Sequence, residues 1–209
     1  MPPAQSASAL PRATAQALAL GHATQALLRC AAREAGSAGS LTPTRFLLPV
    51  LGGRAQIAAG VEYWSATGHH RFALPVRLIE AGDGAARPID LPLLASLLID
   101  ALAGDPPSAD QVTAHMALIE RIADSTANIA AFLASRPDQL DAPAPASASS
   151  FIATEQSLLL GHQLHPTPKS RGEFSPADLR RYSPETQGRF QLAWLAVDPS
   201  LVQHGSAVP

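Results

Sequence analysis

Between Pro137 and Ser150 the chain reads Pro-Asp-Gln-Leu-Asp-Ala-Pro-Ala-Pro-Ala-Ser-Ala-Ser-Ser. Proline removes backbone donors, and alanine and serine bring little apolar area, so this run reads as a linker or surface loop that divides the chain. The expected organisation is an amino-terminal helical and hairpin module over 1–136, the linker over 137–150, a further module over 151–197 and a tail over 198–209. The fold class this implies is α+β, with the later module beginning a mixed α/β unit.

The amino-terminal part is read from periodicity and punctuation. After Pro11, residues Ala13 to Glu34 set Leu18, Leu20, Leu27 and Leu28 among alanines and stop at Gly36 and Gly39, the pattern of one long packing helix. Leu47 to Gly53 reads as a turn. Gln56 to Trp64 and Arg71 to Ile79 are β-rich runs around Ser65-Ala66-Thr67-Gly68-His69-His70, a hairpin pattern. Asp90 to Leu102 reads as a largely buried helix ended by Gly104-Asp105-Pro106-Pro107. Ser108 can cap the next helix, which reaches about Ser135 through apolar residues at spacings of three, four or seven, with one heptad-long gap across Ser125.

Charge and cysteine usage exclude several function classes. The net charge is −2 across 209 residues, with no basic field for nucleic acid or a membrane surface. Any anion site must be local. Cys30 is the single cysteine, which rules out an intrachain disulfide and a cysteine-based zinc site and fits a reducing compartment; it reads as a small buried hydrophobe. No signal peptide or membrane span is read from Met1 to Leu20, so the cytoplasm is the expected location.

Beyond the linker, Phe151 to Leu160 reads as a short helix that Ser149 or Ser150 could cap and Gly161 ends. There follows Gly161-His162-Gln163-Leu164-His165-Pro166-Thr167-Pro168-Lys169-Ser170-Arg171-Gly172, which holds the only lysine of a chain with fourteen arginines. Pro166 and Pro168 stiffen the backbone that presents Lys169, Ser170 and Arg171. A point-charge ammonium beside a planar guanidinium suits polyphosphate or polycarboxylate oxygens, and histidine adds a neutral donor or a switchable charge. From spacing alone, a helix terminator followed by solvated charges explains the loop equally well. A metal pair at His162 and His165 is disfavoured, because the helix ends at Gly161 and only Glu155 or Glu173 could add a third ligand. Further on, Ser175 and Pro176 open a short helix to Tyr182, Pro184-Glu185 stops it, and Arg189 to Val197 alternates as a strand with Trp194 in the core.

From Glu155 to Val197, the pattern Gly-His-x-x-His-Pro-x-x-Lys-x-Arg-Gly-x-Phe, then Tyr182-Ser-Pro-Glu185 and the run ending Trp194-Leu-Ala-Val197, closely resembles the amino-terminal part of the IucA/IucC family of siderophore synthetases that act without a nonribosomal peptide synthetase. That resemblance implies ATP-dependent adenylation of citrate or a citrate-derived carboxylate, with Mg2+, followed by condensation with an amine, a hydroxylamine or an alcohol. It implies that Lys169 and Arg171 meet phosphate or carboxylate oxygens, that His162 or His165 orients the carboxylate or nucleotide, and that Ser170 adds a hydroxyl. Family members are considerably longer, so the 209 residues read as an amino-terminal portion whose site a homodimer or companion chain would complete. The competing expectation is a non-catalytic anion-binding or assembly module that docks on such a chain. Tyr63, Trp64, His69 and His70 read mainly as hairpin packing, Glu155 as either a brace for Lys169 or Arg171 or a surface residue, and Tyr182 and Glu185 as a second wall or a helix stop.

Overall fold

The structure is a computed structural model that describes residues 10–82, 84–103, 108–137, 151–203 and 205. Its elements run α1 (Arg12–Glu34), β1 (Ser40–Leu41), β2 (Arg45–Val50), β3 (Ala55–Tyr63), β4 (Arg71–Phe72), β5 (Arg77–Glu80), β6 (Ala86–Pro88), α2 (Leu91–Ala103), α3 (Ala109–Ser135), α4 (Phe151–Ser157) and α5 (Pro176–Tyr182). The α+β class expected from the sequence is the class observed. Residues 138–150, including Ser149 and Ser150, lie outside the described residues, as do 104–107 and His204.

The strands form an antiparallel sheet in the order β1-β2-β3-β5-β6, with β4 also paired to β3. Alternation selects its buried face: Phe46, Leu48 and Val50 on β2, Ala55, Ile57 and Ala59 on β3 and Leu78 on β5 point into the core. Against that face pack Leu27, Leu28 and Ala31 of α1 and Leu91, Leu94 and Leu98 of α2, joined by Ile122 of α3. Each buried leucine, isoleucine, valine or phenylalanine here contributes about 1.5–3 kcal/mol relative to exposure, and each alanine less.

A smaller core lies at the other end of α1. Ala15 and Ala19 are fully buried against Ile129, Phe132 and Leu133 of α3, together with Leu159 and beside Leu179. The alanines that make α1 look featureless have a packing reason: methyl groups four apart let α3 approach closely along the same stripe. Leu159 and Leu179 bring the segment after 150 onto these helices.

Three readings are corrected. Leu47 to Gly53 is not one turn: Arg45–Val50 is a strand and only Leu51–Gly53 turns, as a single 3-10 turn. Pro49 and the two glycines hide the strand in the sequence, but β1 pairs only with Phe46 and Leu47, so Pro49 sits where β2 has no neighbour on that side. The second hairpin arm is split into β4 and β5 around a cis Leu74–Pro75 bond. Arg189 to Val197 is not a strand, and Trp194 is 87% exposed rather than core. A strand needs a neighbour for its backbone groups, and none of the described residues supplies one.

Ser108 caps α3 as expected, with a reciprocal bond from Gln111 that completes a capping box. Ser108→Ala is expected to lower the unfolding free energy by about 1 kcal/mol, while Ser108→Asn stays near the parent. Urea unfolding of the three proteins checks this, and equal midpoints for Ala and parent would count against it.

Candidate functional site

The loop after α4 starts at Gly161, whose φ of +76° is open to few other residues. A Cβ there would lie 2.7 Å from Cβ of Pro168 and 3.2 Å from Cε of Lys169, so the glycine lets the two ends of the loop touch. Two imidazoles close its turns: Nδ1 of His162 accepts from the Leu164 amide at 3.2 Å, and Nδ1 of His165 accepts from the Thr167 amide at 3.2 Å. The ring proton is therefore assigned to Nε2 in both, and both side chains are exposed.

Helix α3 holds the other end of the loop. The Lys169 amide donates to Ser125 Oγ at 3.0 Å, and its carbonyl accepts from Asn128 Nδ2 at 3.0 Å. Asp124 Oδ2 accepts from the Arg171 amide at 2.6 Å and from Ser170 Oγ at 3.0 Å. Ser125 and Asn128 are buried, which is why the apolar stripe of α3 skips from Ile122 to Ile129. The heptad-long gap in the sequence was the trace of this polar clasp.

Lys169 is not a loop cation facing water. Its Nζ lies 2.5 Å from Oε1 of Glu185, and the two side chains are 10% and 1% exposed. Arg171 Nη2 reaches the same oxygen at 3.5 Å and its Nη1 donates to the Ser170 carbonyl at 3.2 Å, with the side chain 30% exposed. Glu185 comes from the turn Pro184–Thr186, closed by Thr186 Oγ1 donating to the Leu179 carbonyl at 2.9 Å and by the Gly188 amide donating to the Ser183 carbonyl at 3.0 Å. At Gly188 a Cβ would stand 2.6 Å from the Arg181 carbonyl oxygen. Of the alternatives weighed for Glu155 and Glu185, Glu155 is an exposed helix residue and Glu185 is the buried brace.

A second set of contacts ties the loop to α1. Arg29 donates through Nε to the His70 carbonyl at 2.7 Å and through Nη1 to the Gln163 carbonyl at 3.3 Å. Cys30 Sγ donates to the Leu164 carbonyl at 2.8 Å, so the thiol is a half-buried donor rather than only a hydrophobe; burial, with Glu34 adding to it, raises its pKa. His70 is buried, stacks 4.4 Å from Trp64 and accepts the Ser65 amide on Nδ1, which is hairpin packing. Among the described residues no three His, Cys, Asp or Glu side chains gather as a metal site requires. No described helix is long and apolar enough to cross a membrane.

The loop that the sequence singled out is thus brought together as one unit: His162 and His165 on its outer turns, and Lys169, Ser170 and Arg171 on the α3 clasp. Residues 150–208 match the IucA / IucC family. The rhizobactin siderophore biosynthesis protein RhbC of Rhizobium meliloti is 36% identical over 185 residues, 87% of this chain and 31% of the relative. This chain belongs to the IucA/IucC family. A further relative, the L-2,3-diaminopropanoate–citrate ligase of Staphylococcus aureus, is 38% identical over 65% of this chain and 22% of its own length. The ATP-bound aerobactin synthetase IucA of Klebsiella pneumoniae superposes with a TM-score of 0.66 at 31% identity, over 81% of this chain and 30% of that one. The chain therefore spans about a third of the length of the family members it matches.

Two outcomes follow from this geometry. Lys169→Met leaves buried Glu185 with only the 3.5 Å contact to Arg171 and is expected to cost about 3 kcal/mol, much of it recovered in the double variant Lys169→Met/Glu185→Leu. Chemical denaturation of the single and double variants measures this, and an additive double variant would contradict it. The second outcome concerns pH. Burial, then the Arg29 charge, lowers the pKa of both His22 and His70, with a backbone hydrogen bond at Leu160 opposing this at His22. The unfolded imidazoles bind protons from about pH 6.5 downward, before the folded ones do. Their stabilising contribution is thus complete above that pH and lost as pH falls from it toward the lower folded values. Urea midpoints are expected to fall between pH 7 and pH 5.5, and a flat profile would refute this.

Proposed function

We propose that this chain supplies the amino-terminal wall of a citrate-type siderophore synthetase site, in which His162, His165, Lys169, Ser170 and Arg171 serve nucleotide and carboxylate binding. The supporting observation is the clasped loop itself, which carries a partly exposed guanidinium and two exposed imidazoles that accept loop amides on Nδ1. Preorganised N–H donors suit the oxygens of ATP and of a citrate-type acid, because no reorganisation is needed as charge builds during adenylation. The donor set fits ATP oxygens. Mg2+ would be held chiefly by the phosphates, since the loop offers donors and cations rather than carboxylate ligands.

The reaction assigned by this reading joins a carboxylate of citrate, or of a citrate derivative, to an amine or hydroxylamine with ATP cleaved to AMP and pyrophosphate. Support comes from the relative whose name is a diaminopropanoate–citrate ligase and from the ATP-bound aerobactin synthetase. Lys169 and Ser170 act here from within the clasp, Lys169 by holding Glu185 and Ser170 by holding Asp124, while Arg171 and the imidazoles are the more exposed members.

A second reading, a non-catalytic anion-binding or assembly module, is favoured by one observation. Phe190, Leu192, Trp194, Leu195, Val197, Leu201 and Val202 are all 40% or more exposed in one stretch, an apolar surface characteristic of a docking segment. Calorimetric titration with MgATP and with citrate, together with citrate-dependent pyrophosphate exchange, separates the two. The first reading expects binding, reduced about tenfold or more in Arg171→Gln, and exchange once the remainder of a synthetase is supplied; binding with no exchange even then supports the second, and absence of binding refutes the site.

A further inference from the structure

We propose that Glu185 and Asp124 are positioning residues for Arg171, gripping its side chain and its backbone from two different elements so that the remaining guanidinium donors face an anionic ligand. The inference rests on the reading of the loop as an anion-binding wall and deepens it. Neither carboxylate belongs to the Gly-His-x-x-His-Pro-x-x-Lys-x-Arg loop, and each reaches it across a long stretch of sequence.

The argument starts from burial. Glu185 is 1% exposed, and a carboxylate so placed is tolerable only when paired. Lys169 provides that pairing at 2.5 Å and is itself nearly buried, so its charge is committed to Glu185. Withdrawing Lys169 toward a ligand would strand the carboxylate. Arg171 is differently placed: its contact with the same oxygen is 3.5 Å long, its Nη1 donates to the Ser170 carbonyl at 3.2 Å, and its side chain is 30% exposed, so each terminal nitrogen is held through one contact and keeps a second N–H for a ligand. Meanwhile Asp124, on α3, fixes the Arg171 backbone at 2.6 Å. One grip alone would leave a long, rotamer-rich side chain to be ordered upon binding; two grips remove most of that freedom beforehand.

The two mounts lie on different elements that α3 joins. Asp124 sits one residue before the buried Ser125, inside a 27-residue helix. Glu185 sits on the turn after α5, and Arg136 at the end of α3 donates through Nη1 to the Glu185 carbonyl at 3.4 Å. Helix α3 thus braces both carboxylates. Among the described residues the buried Glu185 oxygen Oε2 has no hydrogen-bond partner, and the carboxylate meets Lys169 and Arg171 through Oε1.

The test is a double-variant cycle in the 209-residue protein, titrated with MgATP and separately with citrate. Glu185→Gln and Arg171→Gln are each expected to weaken binding about tenfold. The double variant is expected to bind no more weakly than Arg171→Gln alone, because Glu185 acts through Arg171. A Glu185→Gln change that only loosens the fold would weaken binding by the same factor in both backgrounds, and that multiplicative result would overturn the proposal. A readout without ligand runs beside it: Asp124→Ala is expected to speed hydrogen exchange at the Arg171 amide at least about tenfold while β3 amides keep their rates. Unchanged Arg171 exchange would overturn the backbone grip. Should the parent chain bind neither MgATP nor citrate, the anion-binding reading fails, and with it the ligand-facing purpose of the grip, whatever the exchange rates show about the grip itself.

Discussion

Helix α3 has to satisfy two unlike surfaces with one sequence, and the rest of the structure follows from how it does so. Toward α1 it presents Ile129, Phe132 and Leu133 against the small side chains Ala15 and Ala19, an apolar contact that closes the second core. One turn earlier it presents Asp124, Ser125 and Asn128, which receive the backbone of Lys169 to Arg171. A fully apolar stripe would bury the loop's amides and carbonyl unpaired, at about 1–3 kcal/mol for each. A fully polar one would give up the helix contact. The division of labour along one face is what lets a loop with two prolines and little secondary structure dock in a single arrangement.

The helical and hairpin elements were legible because their signals are local. Ser108 and Gln111 announce the α3 cap, Ser175 and Asp178 the α5 cap, and the leucines of α2 repeat at helical spacing. The loop was legible too, through its lone lysine. Of its two carboxylate partners, Glu185 was read only as a second wall or a helix stop and Asp124 not at all, because Asp124 is 47 residues from Arg171 and Glu185 is 14 away, distances that local pattern cannot bridge. Even so, the heptad gap at Ser125 was a usable trace: three polar residues where the stripe should continue mark a contact with something polar. Pro49 misled for the opposite reason, since whether a strand tolerates proline depends on a neighbour that the local sequence does not specify.

The run from Arg189 to Val197 shows the same limit from another direction. Its alternation is that of a strand, and the pattern was read as one, yet strand formation is a property of pairs. Without a neighbour among the described residues it stays extended and exposed, with Trp194 and Leu195 87% and 86% accessible. The family members matched here are about three times longer than this chain. An apolar, strand-patterned run of this kind is the sort of surface that a longer polypeptide would cover.

Charge counting alone would have misjudged the site. Lys169 and Arg171 bring two positive charges, Glu185 and Asp124 two negative ones, so the cluster is close to neutral and has little long-range pull on an anion. What distinguishes it is direction. Glu185 is buried and inaccessible, Asp124 faces the loop's amide and hydroxyl, and the Arg171 fork, held by Glu185 and the Ser170 carbonyl, is the partly exposed member. A site of this design gains little from steering and much from geometry, because its donors are fixed before an anion arrives and its own carboxylates are turned away from the face where the anion would sit. Such a site discriminates by the spacing of oxygens rather than by total charge, which suits the choice between carboxylates that carry the same charge and differ only in shape.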